Sequence, residues 1–314
     1  MLTVNKLSKS FSVRTGISAK QDFFAVREVS FHLKKGVCLG LVGESGCGKS
    51  TLAKMLVGLL PKSGGEIVYK GRPAEENFYN PYALQMIFQD PFSSLNPRIC
   101  IGKSIGEPLK INRLKNNARK ISRNAMREAA ENILKEVGLE KEYYFRYPHE
   151  FSGGQRQRIA IARAIITKPE LLVCDESVSA LDASHQAQVL NLLLDLKEKY
   201  DLTYLFISHN LQVISFMCDE IMVMYAGEIV EQASRKALFE NPLHPYTKAL
   251  IASAPYVGKP RQELVLQGEM PSLLQRRLGC AFASRCPSAQ KRCLEEKPCL
   301  SGSADHKAAC HFIG

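Results

Sequence analysis

Gly43-Glu44-Ser45-Gly46-Cys47-Gly48-Lys49-Ser50 is the stretch that decides the fold. It fits the pattern G-x-x-x-x-G-K-[ST], in which glycines let backbone N–H groups approach phosphate oxygens and a lysine reaches the β and γ phosphates. The run before it, VCLGLV (37–42), is short and apolar, as a buried strand is. The segment after it places Leu52, Met55, Leu56, Leu59 and Leu60 at helical spacing. Strand, loop and helix in that order are the context a phosphate loop requires. The expected cradle is Gly43, Glu44, Ser45, Gly46, Cys47, Gly48, Lys49, Ser50 and Thr51, with the Ser50 hydroxyl on Mg²⁺.

Outward from this loop the periodicity changes twice. Up to about residue 90 the chain reads as strands: VREVSFHL (26–33) alternates apolar and polar, and EIVYK and ALQMIF follow Gly-containing turns. Between about 98 and 165 the period is helical, with Met126, Ala129, Ala130, Ile133, Leu134 and Val137 on one face and Gly138 as the stop. From 170 strands and helices alternate: LLVC, helix 183–200, TYLFI, helix 211–217, IMVMY, a turn at Gly227, then EIVE. This is an α/β pattern, a parallel sheet covered on both faces with a helical subdomain inserted. Residues 1–255 form the expected main domain. Residues 256–314, rich in Gly, Pro, Cys and basic residues, are expected as a small appended domain.

The apolar run Leu171-Leu-Val-Cys174 ends in Asp175-Glu176. A buried strand carries Asp175 to the C-terminal edge of such a sheet, where a nucleotide and its Mg²⁺ sit, and Glu176 points differently and suits polarisation of a water. Phe151-Ser152-Gly153-Gly154-Gln155-Arg156-Gln157-Arg158 precedes this pair. It resembles the signature motif of ABC-type ATPases, with Phe151 where Leu is more usual. The resemblance extends over most of 25–255: Gln89 in IFQDP resembles the Q-loop, Ser179-Ala-Leu-Asp182 the D-loop, and His209 in ISHN the switch histidine. Independently of the resemblance, Ser152 is a good N-cap, and Gly153 and Gly154 leave N–H groups bare at a helix start that favours an anion.

The resemblance implies an ABC ATPase fold with an antiparallel β subdomain, and it implies roles. Lys49, Gln89, Glu176 and His209 would be catalytic, with Glu176 the general base and His209 on the γ-phosphate. Ser50, Gln89 and Asp175 would serve Mg²⁺; Ser152, Gly153, Gly154 and Gln155 would act across a dimer of ATPase domains, since the chain has one phosphate loop and one signature, and Asp182 of the D-loop would belong to the nucleotide-binding set. Phe11 is the expected adenine-stacking aromatic, with Phe23 and Phe24 as rivals.

Three longer stretches, QMIFQDPFSSLNPR (85–98), DESVSALDASHQAQVLNLL (175–193) and NPLHPYTKAL (241–250), resemble the ATP-binding subunits of dipeptide, oligopeptide and nickel importers, nearest the second ATPase of such systems. The departures are Ser177 for the usual Pro and Asn210 for the usual Asp. The implied assembly is a heterodimer with a second, homologous ATPase, two transmembrane permease subunits and an extracytoplasmic solute-binding protein, peripheral on the cytoplasmic face of the membrane. Other solutes, nickel or a sugar, stay open.

Composition agrees with a globular class: 45% hydrophobic and 23% charged residues in 314 exclude disordered and collagen-like chains. No apolar run approaches the roughly 20 residues of a bilayer span. MLTVNKLSKSF at the start carries no secretory signal, so a cytoplasmic setting is expected, and the ten cysteines are read as thiols or metal ligands first. Five of them form the spacing C-x5-C-x6-C-x5-C-x10-C near the C-terminus, which by itself names no metal. The tail resembles that of peptide-importer ATPases holding a [4Fe-4S] cluster, which maps onto Cys280, Cys286, Cys293 and Cys310 and leaves Cys299 outside; zinc and unliganded thiols are the alternatives. The net charge of +11 and the basic run Lys110 to Arg127 motivate a rival, a soluble nucleic-acid ATPase. Such proteins usually carry paired ATPase domains or a coiled-coil insertion, which this chain lacks. A regulatory module that hydrolyses nothing is a further rival, opposed by the intact Lys49, Asp175, Glu176 and His209.

Overall fold

The computed structural model describes residues 1–15, 19–74, 82–116, 122–253 and 278–313. They fall into two compact units, residues 1–78 with 206–314, and residues 79–205.

In the first unit the long strands Leu2–Thr15 and Ala19–Leu33 pair antiparallel, and Gly64–Tyr69 and Arg72–Pro73 complete a four-stranded antiparallel sheet. Strict alternation would bury every second residue, yet the buried set runs Leu2, Val4, Leu7 on one strand and Val26, Val29, Phe31, Leu33 on the other. Register shifts between Val4 and Leu7 and between Leu7 and Lys9, with positive φ at Lys6 and Glu28, account for the skipped step. An extra residue at a bulge returns the apolar side chains to the same face.

A second sheet in this unit sets Cys38–Val42 parallel to Glu220–Tyr225. Ala226 and Gly227, both at positive φ, turn the chain into Glu228–Ser234, which runs back antiparallel. His306–Ala308 and then Ser301–Gly302 extend the same edge. Residues 278–313, expected as part of an appended domain, thus contribute strands to this sheet. Beside the expected parallel strands this edge is antiparallel, because the hairpin connection at Gly227 gives antiparallel neighbours.

In the second unit Leu84–Ile87 lies parallel to Leu171–Asp175. The helical stretch consists chiefly of Ile101–Asn116, Arg123–Glu136 and Gly153–Ile165. Ser122 caps the middle helix by accepting from the Ala125 N–H. Ala130, Ile133, Leu134 and Val137 form its buried stripe. Gly138 ends it at φ +74, where a Cβ would stand 2.9 Å from the Arg158 guanidinium. The basic run Lys110 to Arg127 falls largely outside the described side chains; Arg127 itself pairs with Glu131 at 2.6 Å. Among the described residues no helix is long and apolar enough to cross a membrane.

Candidate nucleotide site

The phosphate loop follows the wholly buried strand Cys38–Val42 and opens the helix Lys49–Leu56. Gly48 is the N-cap, at φ +110 and with no side-chain cap, so the positive end of the helix dipole is left to the loop. A Cβ on Gly48 would sit 2.2 Å from the Ala25 carbonyl oxygen, and one on Gly43 2.1 Å from that of Met224. Neither position has room for any other residue. Lys49 is buried; its Nζ donates to the carbonyls of Gly43 (2.7 Å) and Glu44 (2.9 Å). The loop is thereby wrapped around a cation. Cys47 is fully buried, and burial pushes its thiol up, so it packs as a small apolar residue rather than reacting.

Behind the loop stand two residues that sequence reading did not single out. The Glu44 N–H donates to the Tyr246 hydroxyl, and the Glu44 carboxylate pairs with Arg285. Both partners lie about 200 positions or more along the chain, so no local pattern announces them.

The strand Ala19–Leu33 passes the loop at Ala25, which puts the aromatic candidates in its neighbourhood. Phe11 and Phe23 are cross-strand partners with ring centroids 5.7 Å apart, and Lys9 Nζ lies 5.2 Å over the Phe11 ring. The expected aromatic and one of its two rivals thus form one pair. Phe24, the next residue along, is 46% exposed.

His209 follows the strand Thr203–Ile207 on an exposed bend. Asn210 caps the next helix, Leu211–Met217, by accepting from the Gln212 N–H at 2.9 Å. The departure from Asp at this position therefore keeps the cap, since Asn and Asp serve equally well there.

In the second unit, Asp175 ends a strand buried along its whole length and is itself buried. Glu176 has φ +46, the left-handed region that costs a non-glycine residue on the order of 1 kcal/mol or more. That turn aims its carboxylate at Gln89, whose Nε2 donates to Oε2 at 3.0 Å. Two expected catalytic residues are brought together here. Ser177 is buried with its Oγ lacking any protein partner among the described residues.

Ser152 caps the helix Gly153–Ile165 in a reciprocal box: its Oγ accepts from the Gln155 N–H, and Gln155 Oε1 accepts from the Ser152 N–H. The Gln155 side chain is thus committed to the cap. Phe151 is buried edge-on against Tyr143 at 5.5 Å. Asp182 caps Ala183–Tyr200, accepting from the N–H groups of Ser184 and His185 and pairing with His185 Nδ1 at 2.6 Å. The His185 backbone hydrogen bond, then its ring, hold that carboxyl below the usual range. The same ring lies where a Cβ on Gly154 would be, 2.8 Å from Cδ2, which joins the signature to the D-loop.

At the C-terminus, Cys293 is buried, Cys280, Cys286 and Cys310 are half-buried and Cys299 is exposed. Burial pushes the Cys280 thiol up to about 11, and Cys293, Cys286 and Cys310 each add to it. No three His, Cys, Asp or Glu side chains among the described residues converge as a metal site.

Comparison with known proteins adds the family. The ABC transporter family model matches residues 26–179, and the model of the oligopeptide/dipeptide transporter C-terminal region matches 230–293. The dipeptide transport ATP-binding protein of Haemophilus influenzae is 45% identical, covering 100% of this chain and 97% of its own. The oligopeptide transport ATP-binding protein of Bacillus subtilis is 44% identical over 99% of this chain and 97% of its own. The chain belongs to the dipeptide and oligopeptide ATP-binding proteins of the ABC transporter family. A solved bacterial ABC transporter cassette, described as dimeric, superposes with TM-score 0.65 at 24% identity over 75% of this chain and 99% of its own. That likeness carries the α/β cassette fold. Membership in the family implies ATP with Mg²⁺ as the nucleotide, and the loop fits it: a buried lysine, an uncapped helix start and glycines that no Cβ could replace.

Proposed function

We propose that this chain is the ATP-hydrolysing subunit that powers import of dipeptides or oligopeptides through a membrane ABC transporter. The observation that carries the reading is similarity to dipeptide and oligopeptide transport ATP-binding proteins over essentially the whole chain, the C-terminal region included. The residue roles follow from the chemistry at each position. Lys49, now satisfied by two loop carbonyls, exchanges part of that coordination for phosphate oxygens, which the N–H groups of the loop from Gly43 to Thr51 also face. Ser50, Gln89 and Asp175 would hold Mg²⁺, which would supply neutralisation of the charge shared by the β and γ phosphates. Glu176 takes a proton from the attacking water; its hydrogen bond to Gln89 keeps the carboxylate oriented until then. His209 contacts the γ-phosphate. Ser152, Gly153 and Gly154 present N–H groups to the γ-phosphate of a facing, homologous subunit, with Gln155 holding the helix start in shape and Asp182 closing the D-loop beside it.

The partners of this reading are that second ATPase, two permease subunits and an extracytoplasmic solute-binding protein, with the chain peripheral on the cytoplasmic face. A cavity of about 480 Å³ in the helical unit, lined by Arg98, Lys103, Glu107, Met126, Tyr144 and Tyr147, is a suitable seat for a permease segment. For the tail, the finer reading is a [4Fe-4S] cluster on Cys280, Cys286, Cys293 and Cys310; the clustering of cysteines and the resemblance of the tail support it, and it is opposed by the absence, among the described residues, of three converging ligands. Anaerobically purified protein should be brown, absorb near 400 nm and contain iron and labile sulfide; colourless protein with stoichiometric zinc would replace the cluster by the metal.

Three experiments test the main reading. Glu176→Gln should retain ATP binding while turnover falls by about 10² to 10⁴, the usual worth of a positioned general base; unchanged turnover removes Glu176 from that role. Tagged protein drawn from membranes should bring a second ATPase and two polytopic proteins, and deletion should abolish uptake of labelled dipeptides or oligopeptides. Loss of nickel uptake alone would keep the ATPase and change the solute.

A further inference from the structure

We propose that the C-terminal segment is a working part of the nucleotide site, in which Arg285 and Tyr246 position the phosphate loop through Glu44. Glu44 is held at every polar group it has. Its N–H donates to Tyr246 Oη at 2.9 Å, its carbonyl accepts from Lys49 Nζ at 2.9 Å, and its carboxylate receives Arg285 Nη1 at 3.1 and 3.0 Å. Fixing the N–H, the C=O and the side chain of one residue fixes the backbone on both sides of it. Gly43, the other carbonyl partner of Lys49, is its neighbour. The loop is thus set in shape before a nucleotide arrives, and ordering done in advance raises affinity.

Charge makes the same case. Arg285 has a side chain only 7% exposed and is also 3.4 Å from the Tyr225 hydroxyl. Burial works against its charge, and the bonds to Glu44 and Tyr225 outweigh that cost. Without Arg285, an unpaired carboxylate would stand in the loop that must receive a polyanion, and an unpaired, partly buried charge is costly in its own right.

The anchor is stiff. Tyr225, Tyr246 and Phe282 pack with ring centroids 4.7, 5.2 and 5.5 Å apart, and Phe282 is fully buried. Phe282 and Arg285 both lie between Cys280 and Cys286, so one short turn carries both a ring of the anchor and the guanidinium on Glu44. A mere latch would hold the tail to the unit and leave nucleotide affinity alone; the positioning role ties the two together.

The inference rests on the nucleotide reading of the loop, and the test separates them. Mg-ATP binding is titrated on the full-length, anaerobically purified chain, with thermal midpoints measured without nucleotide. Wild type should bind and Lys49→Ala should not; if wild type fails to bind, the nucleotide reading falls and takes the inference with it. Arg285→Ala should raise the Kd by about 5- to 20-fold, the lower part of the range of ordinary site-to-site coupling. Arg285→Lys should recover part of the loss, and the Arg285→Ala, Glu44→Gln double variant should recover only the part that the stranded charge causes and stay at least about threefold weaker than wild type, because the anchor on the loop is still missing; wild-type affinity in the double variant would reduce Arg285 to a charge partner and overturn the positioning role. Tyr246→Phe, which keeps the ring and removes only the acceptor, should raise the Kd by about 2- to 5-fold and decides the matter if Arg285→Ala does not fold. Wild-type Kd in both Arg285→Ala and Tyr246→Phe, whatever their thermal midpoints, overturns the proposal.

Discussion

The phosphate loop and the Ser152 signature are both helix starts suited to an anion, yet they are built in opposite ways. The signature is closed by its own neighbours: Ser152 and Gln155 cap each other three residues apart, and Asp182 caps its helix through Ser184 and His185. The phosphate loop is shaped by residues far away in sequence. Ala25 and Met224 press on Gly48 and Gly43, and Tyr246 and Arg285 hold Glu44. Local caps tolerate the loss of one member at a modest cost, whereas a loop enclosed by backbone has no room to adjust.

The sharpest way to break that comparison is Gly48→Ala. The methyl would meet a backbone oxygen at 2.2 Å, and the residue would be held at φ +110. Mg-ATP affinity should fall by about 100-fold or more, consistent with a strain of about 3 kcal/mol. Near-normal titration would mean that the enclosure is looser than its distances.

Glu231→Ala tests a second long-range anchor. This carboxylate is fully buried and accepts from the N–H groups of Leu243 and His244, both at 2.8 Å, with His306 Nε2 at 2.7 Å. It joins the strand Glu228–Ser234, the segment before the helix Pro245–Ser253 and the strand His306–Ala308. Removing it strands one buried and two part-buried donors, and urea unfolding should report a loss of about 3 kcal/mol.

The same contrast explains what could be read from the sequence. The phosphate loop, Asp175-Glu176, the Ser152 cap and the helical stripe ending at Gly138 are carried by residues within a turn or two of one another, so spacing suffices. The bulges at Lys6 and Glu28 were hidden, since a positive φ at a charged residue has no compositional mark. The Gln89 to Glu176 contact was legible only as two separate motifs. Arg285 and Tyr246 were invisible as site residues, because their partner is Glu44, one of the positions the loop pattern leaves free. The pairing of Glu228–Ser234 with His306–Ala308 is illegible for a related reason: a strand run such as EIVE states its period and not its neighbour.

His244 offers a pH test of the long-range side. It is buried beside Phe282, its Nδ1 accepts from the Tyr246 N–H at 3.1 Å, and burial pulls its pKa down to about 4. The unfolded chain, with a histidine pKa near 6.5, takes up the proton first as pH falls. The contribution is therefore complete above about pH 6.5 and is lost between there and pH 4, by up to about 3 kcal/mol. Urea unfolding at pH 7.5 and pH 5 should show this loss in wild type and a smaller one in His244→Gln. Equal pH slopes in the two proteins would place the histidine in contact with water.

Ser152→Ala supplies the smallest effect and the cleanest contrast with Gly48→Ala. It removes one half of the reciprocal cap, the acceptor for the Gln155 N–H, while the Gln155 side chain still reaches the Ser152 N–H. Helix Gly153–Ile165 keeps its buried face of Ile159, Ile161, Ala162 and Ile165, so the stability loss should be about 1 kcal/mol, the usual worth of a serine cap. Mg-ATP binding by the isolated chain should be unchanged, because the proposed anion partner of this helix belongs to a facing subunit. Hydrolysis by the assembled transporter should fall. Weakened binding in the isolated chain would instead tie the signature to its own phosphate loop and erase the distinction between the two helix starts.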